Sequence, residues 1–280
     1  MARGDGLSAE EAGKATADPR LPDALARFDE IARRLQGRRP ALFLDYDGTL
    51  TPIADRPDEA VLSEAMREVL AGLSRRVPVI IVSGRDRRDV ARFVGLDDLV
   101  YAGSHGFDIA GPEGLAREHP DAQSYREPLA DAAAELERRL ARVEGAIVER
   151  KRFAVAVHWR LVAPGEVPEV EAAVDEAVQG RPGLRRTGGK KIFELRPRID
   201  WDKGRAVLWL LEALGLDKPD NVPFYLGDDE TDEDAFRALG DRGIGILVAE
   251  EPRPTHASYL LGDTEAVKTF LRRLLQSQTP

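Results

Sequence analysis

The sequence predicts an α/β protein, with a core of parallel β-strands alternating with helices and a smaller α/β unit inserted into it. Three observations lead there. Short apolar runs without period, Ala41-Leu42-Phe43-Leu44 and Val77-Pro78-Val79-Ile80-Ile81-Val82, stop at polar clusters. Strands buried on both faces read this way where their carboxyl ends meet solvent. Between them lie segments whose apolar residues recur at spacings of three and four, the helical period. Residues 153–160, Phe-Ala-Val-Ala-Val-His-Trp-Arg, instead alternate strictly, which implies a half-exposed, usually antiparallel strand belonging to a second sheet.

Residues 1–20 are polar and aperiodic, and disorder is expected there. Leu21, Ala24, Leu25, Phe28, Ile31, Ala32 and Leu35 then form one helix stripe. After the strand at 41–44 come a helix with Ala65, Val69, Leu70 and Leu73, the strand at 77–82, a helix with Val90 and Phe93, and a strand at 99–102. From about residue 116 the character shifts to a helix with Leu129, Ala133, Leu136 and Leu140, the alternating strand, a helix at 167–178 and a strand at 191–195. Helix–strand alternation resumes with Ala206, Val207, Leu210, Leu211 and Leu214, a strand at 222–226, a helix from Thr231, a strand at 244–248 and a last helix near 266–275. The expected division is a core of residues 21–115 and 198–280 with an insert at 116–197, an ordinary size for a small domain.

The 280 residues are 42% hydrophobic and 32% charged with a formal net charge of −9, which argues against a nucleic-acid partner. The Arg pairs (33–34, 38–39, 75–76, 87–88, 138–139) are scattered among acids and read as solvated helix faces. With no cysteine, disulfides, thiolate metal sites and a cysteine nucleophile are excluded. No apolar run approaches the roughly 20 residues that span a bilayer, and the start lacks a secretory apolar stretch. No membrane partner, a cytoplasmic location and a monomer are expected.

Four elements carry chemistry. Asp45-Tyr-Asp47-Gly48-Thr49 follows the first strand, so two aspartates one residue apart can aim at one point above the sheet, with Gly48 allowing close backbone approach to an anion. Gly227-Asp228-Asp229-Glu230-Thr231-Asp232-Glu233-Asp234 follows another strand, and six acids in eight residues repel one another unless a cation or donors compensate. A helix N-terminus accounts for Glu233 and Asp234 but not for Asp228 and Asp229, whose oxygens suit Mg²⁺. Ser83-Gly-Arg85 ends the second strand, where Ser83 could equally cap a helix. Lys203 stands at a helix start, where the dipole favours an anionic ligand over a cation.

Together, in order and spacing, these elements resemble the motifs of the haloacid dehalogenase (HAD) superfamily. Longer strings narrow the resemblance to the trehalose-6-phosphate phosphatases: Leu44-Asp-Tyr-Asp-Gly-Thr-Leu-Thr-Pro-Ile53, Val157-His-Trp-Arg160, Gly189-Lys-Lys-Ile-Phe-Glu-Leu-Arg-Pro197, Trp201-Asp-Lys-Gly204 and Leu226-Gly-Asp-Asp-Glu-Thr-Asp-Glu-Asp-Ala-Phe236. The resemblance implies a Rossmann-like parallel-sheet HAD core with an inserted α/β cap domain, and a Mg²⁺-dependent phosphatase whose partner is a small-molecule sugar phosphate. It further implies Asp45 as nucleophile, Asp47 as general acid/base, Ser83 and Lys203 as phosphate ligands, and Asp232 as support. The metal set would be Asp45, Asp47 and Asp228. His105, Glu149, Lys151, Arg160, Lys190 and Glu194 match the sugar-binding positions. One departure concerns Gly103-Ser-His-Gly-Phe-Asp-Ile109, where the family commonly has a small residue and Glu after His-Gly; Phe107 is expected to alter the sugar pocket. Glucosylglycerol phosphate and sucrose 6-phosphate are the alternative substrates, a phosphomutase the alternative reaction, and a silent sugar-phosphate sensor the alternative class.

Overall fold

A computed structural model of the protein describes residues 21–278, so the disorder expected for residues 1–20 lies outside the described residues. The first part of the chain runs α1 (Phe28–Arg34), β1 (Arg39–Leu44), α2 (Glu64–Ser74), β2 (Val79–Val82), α3 (Arg87–Val94), β3 (Val100–Gly103), β4 (Asp108–Ala110) and β5 (Ala116–Glu118). The middle holds α4 (Arg126–Arg139), β6 (Ile147–Arg150), β7 (Val155–His158), α5 (Val167–Gln179), β8 (Leu184–Gly189) and β9 (Ile192–Pro197). The last part is α6 (Lys203–Ala213), β10 (Asn221–Gly227), α7 (Glu233–Leu239), β11 (Ile244–Val248), β12 (Tyr259–Leu261) and α8 (Thr264–Ser277).

The first sheet has the order β12-β11-β10-β1-β2-β3-β4-β5, parallel from β12 to β3 and antiparallel at the β4–β5 edge. β1 sits between β10 and β2 and is apolar because helices cover both of its faces. Leu42 and Leu44 join one buried cluster with Val69 and Leu70 of α2 and Phe270 of α8, while Ala41 and Phe43 join another with Val207 and Leu210 of α6. Parallel strands share one carboxyl edge, and the loops after β1, β2 and β10 therefore deliver Asp45, Ser83 and Asp228 to the same rim.

The second sheet is antiparallel, in the order β6-β7-β9-β8. Val155 and Val157 of β7 with Phe193 and Leu195 of β9 pack on Leu129 and Leu136 of α4 and on Val170 and Val174 of α5. The other face carries Glu149, Ala156 and Glu194 in cross-strand register. The expectation that the alternating strand is half-exposed needs correction, because every residue from Phe153 to Val157 is buried. β7 lies between β6 and β9, and its buried Ala156 shares a face with the cleft-lining Glu149 and Glu194, so alternation here separates two covered faces.

The chain crosses between the two sheets twice, at residues 119–125 and 198–202, and both crossings meet in one aromatic joint. Phe107, Ala122, Phe153, Trp201 and Ala206 form a separate buried cluster. The Phe107 ring stands 5.5 Å from His119 and 6.1 Å from Phe153, and His119 stands 5.0 Å edge-on to Trp201. Phe107 is 0% exposed and does not line the cleft, contrary to the expectation that it reshapes a sugar pocket. The neighbouring Asp108 accepts from Arg87 at 2.9 Å and from Arg152 at 3.3 Å, tying β4 to the loop after β6. The departure at residues 107 and 108 thus belongs to the joint between the sheets.

Phe153 is fully buried where the two units meet, so truncating it leaves a cavity that neither unit can collapse into alone. Phe153→Ala is expected to lower the unfolding free energy by about 3–5 kcal/mol, measured by denaturant titration.

Candidate functional site

The site begins with a buried lysine. Lys203 is the first residue of α6, whose N-cap Asp202 accepts from the Arg205 amide at 2.8 Å, and its side chain is 3% exposed. Its Nζ donates to Asp45 Oδ1 at 2.7 Å and to Asp232 Oδ1 at 2.6 Å. A buried ammonium is tolerated only with such partners. Asp232 in turn accepts at Oδ2 from the amides of Asp228 (3.0 Å) and Asp229 (2.9 Å), and at Oδ1 from Tyr225 Oη (2.6 Å). Asp45, Asp228 and Asp232 each offer an oxygen within 4.8 Å of the others. Among the described residues, no other group of three acidic or imidazole side chains converges in this way.

The electrostatics follow from crowding in a dry place. Burial pushes the Asp45 carboxyl well up, with Asp232 and Asp228 adding to the rise against the pull of Lys203. Burial and Asp232 push Asp228 up to about 7, while Lys190 opposes them. For Asp232 burial also acts upward, but Lys203, Tyr225 and the Asp229 amide outweigh it and hold the carboxylate below its ordinary range. Lys203, despite burial, is raised well above its ordinary value by Asp232 and Asp45.

This donor set fits a hard divalent cation. It is all oxygen, carries more negative than positive charge, and leaves the buried Asp228 Oδ1 without a partner. Gly48 makes room for it. Its φ is +85°, and a Cβ there would lie 2.1 Å from Asp228 Oδ2. Asp47, expected among the metal ligands, is turned elsewhere: both its oxygens accept from Arg85, at 2.7 and 2.6 Å. The Arg85 guanidinium also donates to Pro57 O at 2.7 Å and lies 5.1 Å over the Phe93 ring. Ser83 Oγ accepts from the Arg85 amide at 3.1 Å, so it serves its own turn while facing the cleft.

The cleft roof is the charged face of the second sheet. Glu194 accepts from Lys151 Nζ at 2.8 Å and lies 2.9 Å from His105 Nε2 and 3.2 Å from Arg196 Nε. Lys151 donates as well to Gly84 O, at 3.0 Å, across the cleft. Glu149 pairs with His158 Nε2 at 2.7 Å. Burial pulls the Glu149 carboxyl up, but Lys151, His158 and Arg85 outweigh it and hold it at about 2. Lys190 reaches from the β8–β9 turn to Asp228 Oδ2 at 2.5 Å, and its carbonyl accepts from Arg160 at 2.9 Å.

The structure brings Asp45, Asp47, Ser83, Lys203 and Asp228 together at the base of one cleft, with His105, Glu149, Lys151, Arg160, Lys190 and Glu194 around it; Asp232 lies behind, fully buried. Sequence reasoning assigned no role to Arg85 or Tyr225, and read His158 only as able to face a cleft together with Arg160. Arg85 stood in the Ser83-Gly-Arg85 string, and His158 shares strand parity with Arg160. Tyr225 was hidden in an apolar run.

Burial, with Arg196 beside it, drives the His105 imidazole from 6.5 down to about 3, and Glu194 accepts its Nε2–H in the tautomer this pairing requires. The folded protein thus refuses a proton that the unfolded chain accepts near 6.5. Stability is full above that pH and falls as pH drops toward 3, by up to about 1.4 kcal/mol per unit from this group. His105→Asn should therefore flatten the fall in stability between pH 6 and 4, read from urea unfolding midpoints.

Residues 43–265 match the family model described as Trehalose-phosphatase. The chain is 43% identical over 273 residues to Probable trehalose-phosphate phosphatase 3 of Oryza sativa subsp. japonica, a match covering 91% of this chain and 74% of that protein. It is 42% identical over 271 residues to Trehalose-phosphate phosphatase B of Arabidopsis thaliana, covering 92% and 72% respectively. The solved C-terminal domain of C. albicans trehalose-6-phosphate phosphatase superposes with a TM-score of 0.77 over 93% of this chain and 99% of that one. At 23% identity, that likeness concerns the fold. By sequence, over most of its length, the chain belongs to the trehalose-phosphatase family.

Proposed function

We propose that this protein hydrolyses trehalose 6-phosphate to trehalose and inorganic phosphate through an aspartyl-phosphate on Asp45, with Mg²⁺ as the divalent cation. The observation that carries the reading is the contact of Lys203 Nζ with both Asp45 and Asp232 at the base of a cleft roofed by mixed charges. A phosphate monoester dianion repels a carboxylate, so attack by Asp45 needs positive charge at the phosphoryl oxygens. Lys203 has three protons and spends two on Asp45 and Asp232, which leaves one for the phosphate. A divalent cation held by Asp45 and Asp228, with Asp232 within reach, supplies further positive charge there when bound.

In the first step an Asp45 oxygen bonds to phosphorus, the bond from phosphorus to the sugar oxygen breaks, and Asp47 gives that oxygen its proton. In the second, Asp47 takes a proton from water, whose oxygen attacks phosphorus and frees Asp45 and phosphate. Both Asp47 oxygens lie in the Arg85 fork, so its carboxyl must swing out of the fork to reach the leaving oxygen. Ser83 would hold a phosphoryl oxygen from the β2 side.

The second sheet acts as a cap in this reading. Glu149, Lys151 and Glu194 offer neutral sugar hydroxyls both donors and acceptors. Lys151 to Gly84 and Lys190 to Asp228 join cap to core, an arrangement that keeps bulk water from the acyl-phosphate step. No helix among the described residues is long and apolar enough to cross a membrane.

Phosphate release with Mg²⁺ across trehalose 6-phosphate, sucrose 6-phosphate and glucosylglycerol phosphate is expected to give the highest kcat/KM for the first, and none with Asp45→Asn. Faster turnover of either alternative would move the substrate, and isomerised sugar phosphate without free phosphate would mark a phosphomutase. Asp47→Asn should retain the fold and lower kcat by roughly 10²–10⁴-fold in the same assay.

A further inference from the structure

Behind the reacting groups lies a buried tyrosine whose hydroxyl bonds to Asp232. Tyr225 sits on β10, in register with Phe43 on one side and Gly245 on the other, and is fully buried. Its ring packs edge-on to Phe236 at 5.6 Å, which fixes the direction of the phenol. Its hydroxyl donates to Asp232 Oδ1 at 2.6 Å, the same oxygen that accepts from Lys203.

A carboxylate has about four lone-pair sites, and in Asp232 all four are filled: Lys203 and Tyr225 on Oδ1, the Asp228 and Asp229 amides on Oδ2. The two amides are main chain and cannot follow a shift. Lys203 and Tyr225 therefore share one oxygen, and the position of the ammonium between Asp232 and Asp45 depends on how much of that oxygen the phenol occupies. Without the hydroxyl, Oδ1 has Lys203 as its sole donor in a site at 0% exposure, which draws the ammonium toward Asp232 and away from the reacting oxygens.

We infer that Tyr225 is a positioning residue for the hydrolysis proposed above, holding Lys203 at Asp45 through Asp232. The inference rests on that reading of the site. Tyr225 is fully buried and does not line the cleft, so removal of its hydroxyl acts on the charge-developing step more than on substrate capture.

The test is a double-mutant cycle of Tyr225→Phe and Asp232→Asn in the full chain with Mg²⁺, reading kcat and KM separately, with circular dichroism and melting temperature for each protein. Tyr225→Phe is expected to fold, to lower kcat by roughly ten- to a hundredfold, as loss of a hydrogen bond to a charged group does, and to leave KM within about twofold. In the Asp232→Asn background the same change should cost less than about twofold, because the carboxylate through which it acts is gone. An unchanged kcat, equal losses in both backgrounds, or a Tyr225→Phe protein that no longer folds would each overturn the inference, the last by making the hydroxyl structural. A wild-type protein without phosphatase activity would sink the reading of the site. An active wild type with an unaffected Tyr225→Phe sinks the role of Tyr225 alone.

Discussion

The cleft is organised around one buried ammonium. Lys203 lies at 3% exposure between two carboxylates that are themselves buried, and the three charges compensate one another there. A lone lysine in that place would shed its proton, and a lone Asp232 would take one up. Joined, Lys203 and Asp232 hold their charges in a dry place, and the surrounding elements must meet at fixed distances to keep them so. α6 contributes the lysine, the β1 loop Asp45, and the turn after β10 contributes Asp228 and Asp232. The packing of α6 against α7 is correspondingly tight, since a Cβ on Gly204 would lie 2.3 Å from the Asp234 carbonyl.

The same arrangement separates two tasks between two sheets. The parallel sheet places its polar residues at strand ends, where the apolar interior stops and the backbone turns outward. The antiparallel sheet places Glu149, Ala156 and Glu194 along strand faces, where parity alone decides which side they take. The first layout concentrates charge at a point and suits the phosphoryl group. The second spreads donors and acceptors over an area and suits a sugar.

Much of this was legible in the sequence because parallel strands leave unbroken apolar runs and their ends are marked by Asp and Gly. The run at 41–44 lies within β1, the run at 77–82 contains β2, which starts at Val79, and the run at 244–248 is β11; Asp45, Ser83, Lys203 and Asp228 stand at a strand or helix end. What stayed hidden depends on contacts between distant segments. Tyr225 reads as one more strand residue until the turn after β10 folds back and brings Asp232 to its hydroxyl. The Arg85 fork on Asp47 spans 38 residues of chain and has no periodic signature. Phe107 pointed to the sugar pocket by its neighbours in sequence, yet its ring lies with Phe153 and His119. Strict alternation at β7 announced two unlike faces, but nothing local says whether the second meets solvent or another sheet.

The aromatic joint has a consequence for how such a molecule can change over time. The chain leaves the parallel sheet near His119 and returns near Trp201, and those two rings touch, so everything between them is an excursion closed at its base. Such a segment is a cassette. It can be remodelled, lengthened or replaced by another without disturbing the order of strands beneath, provided the ends still meet in the joint and the segment still fills the place of Phe153. Selectivity for the leaving group can then drift while the bond-breaking apparatus stands still.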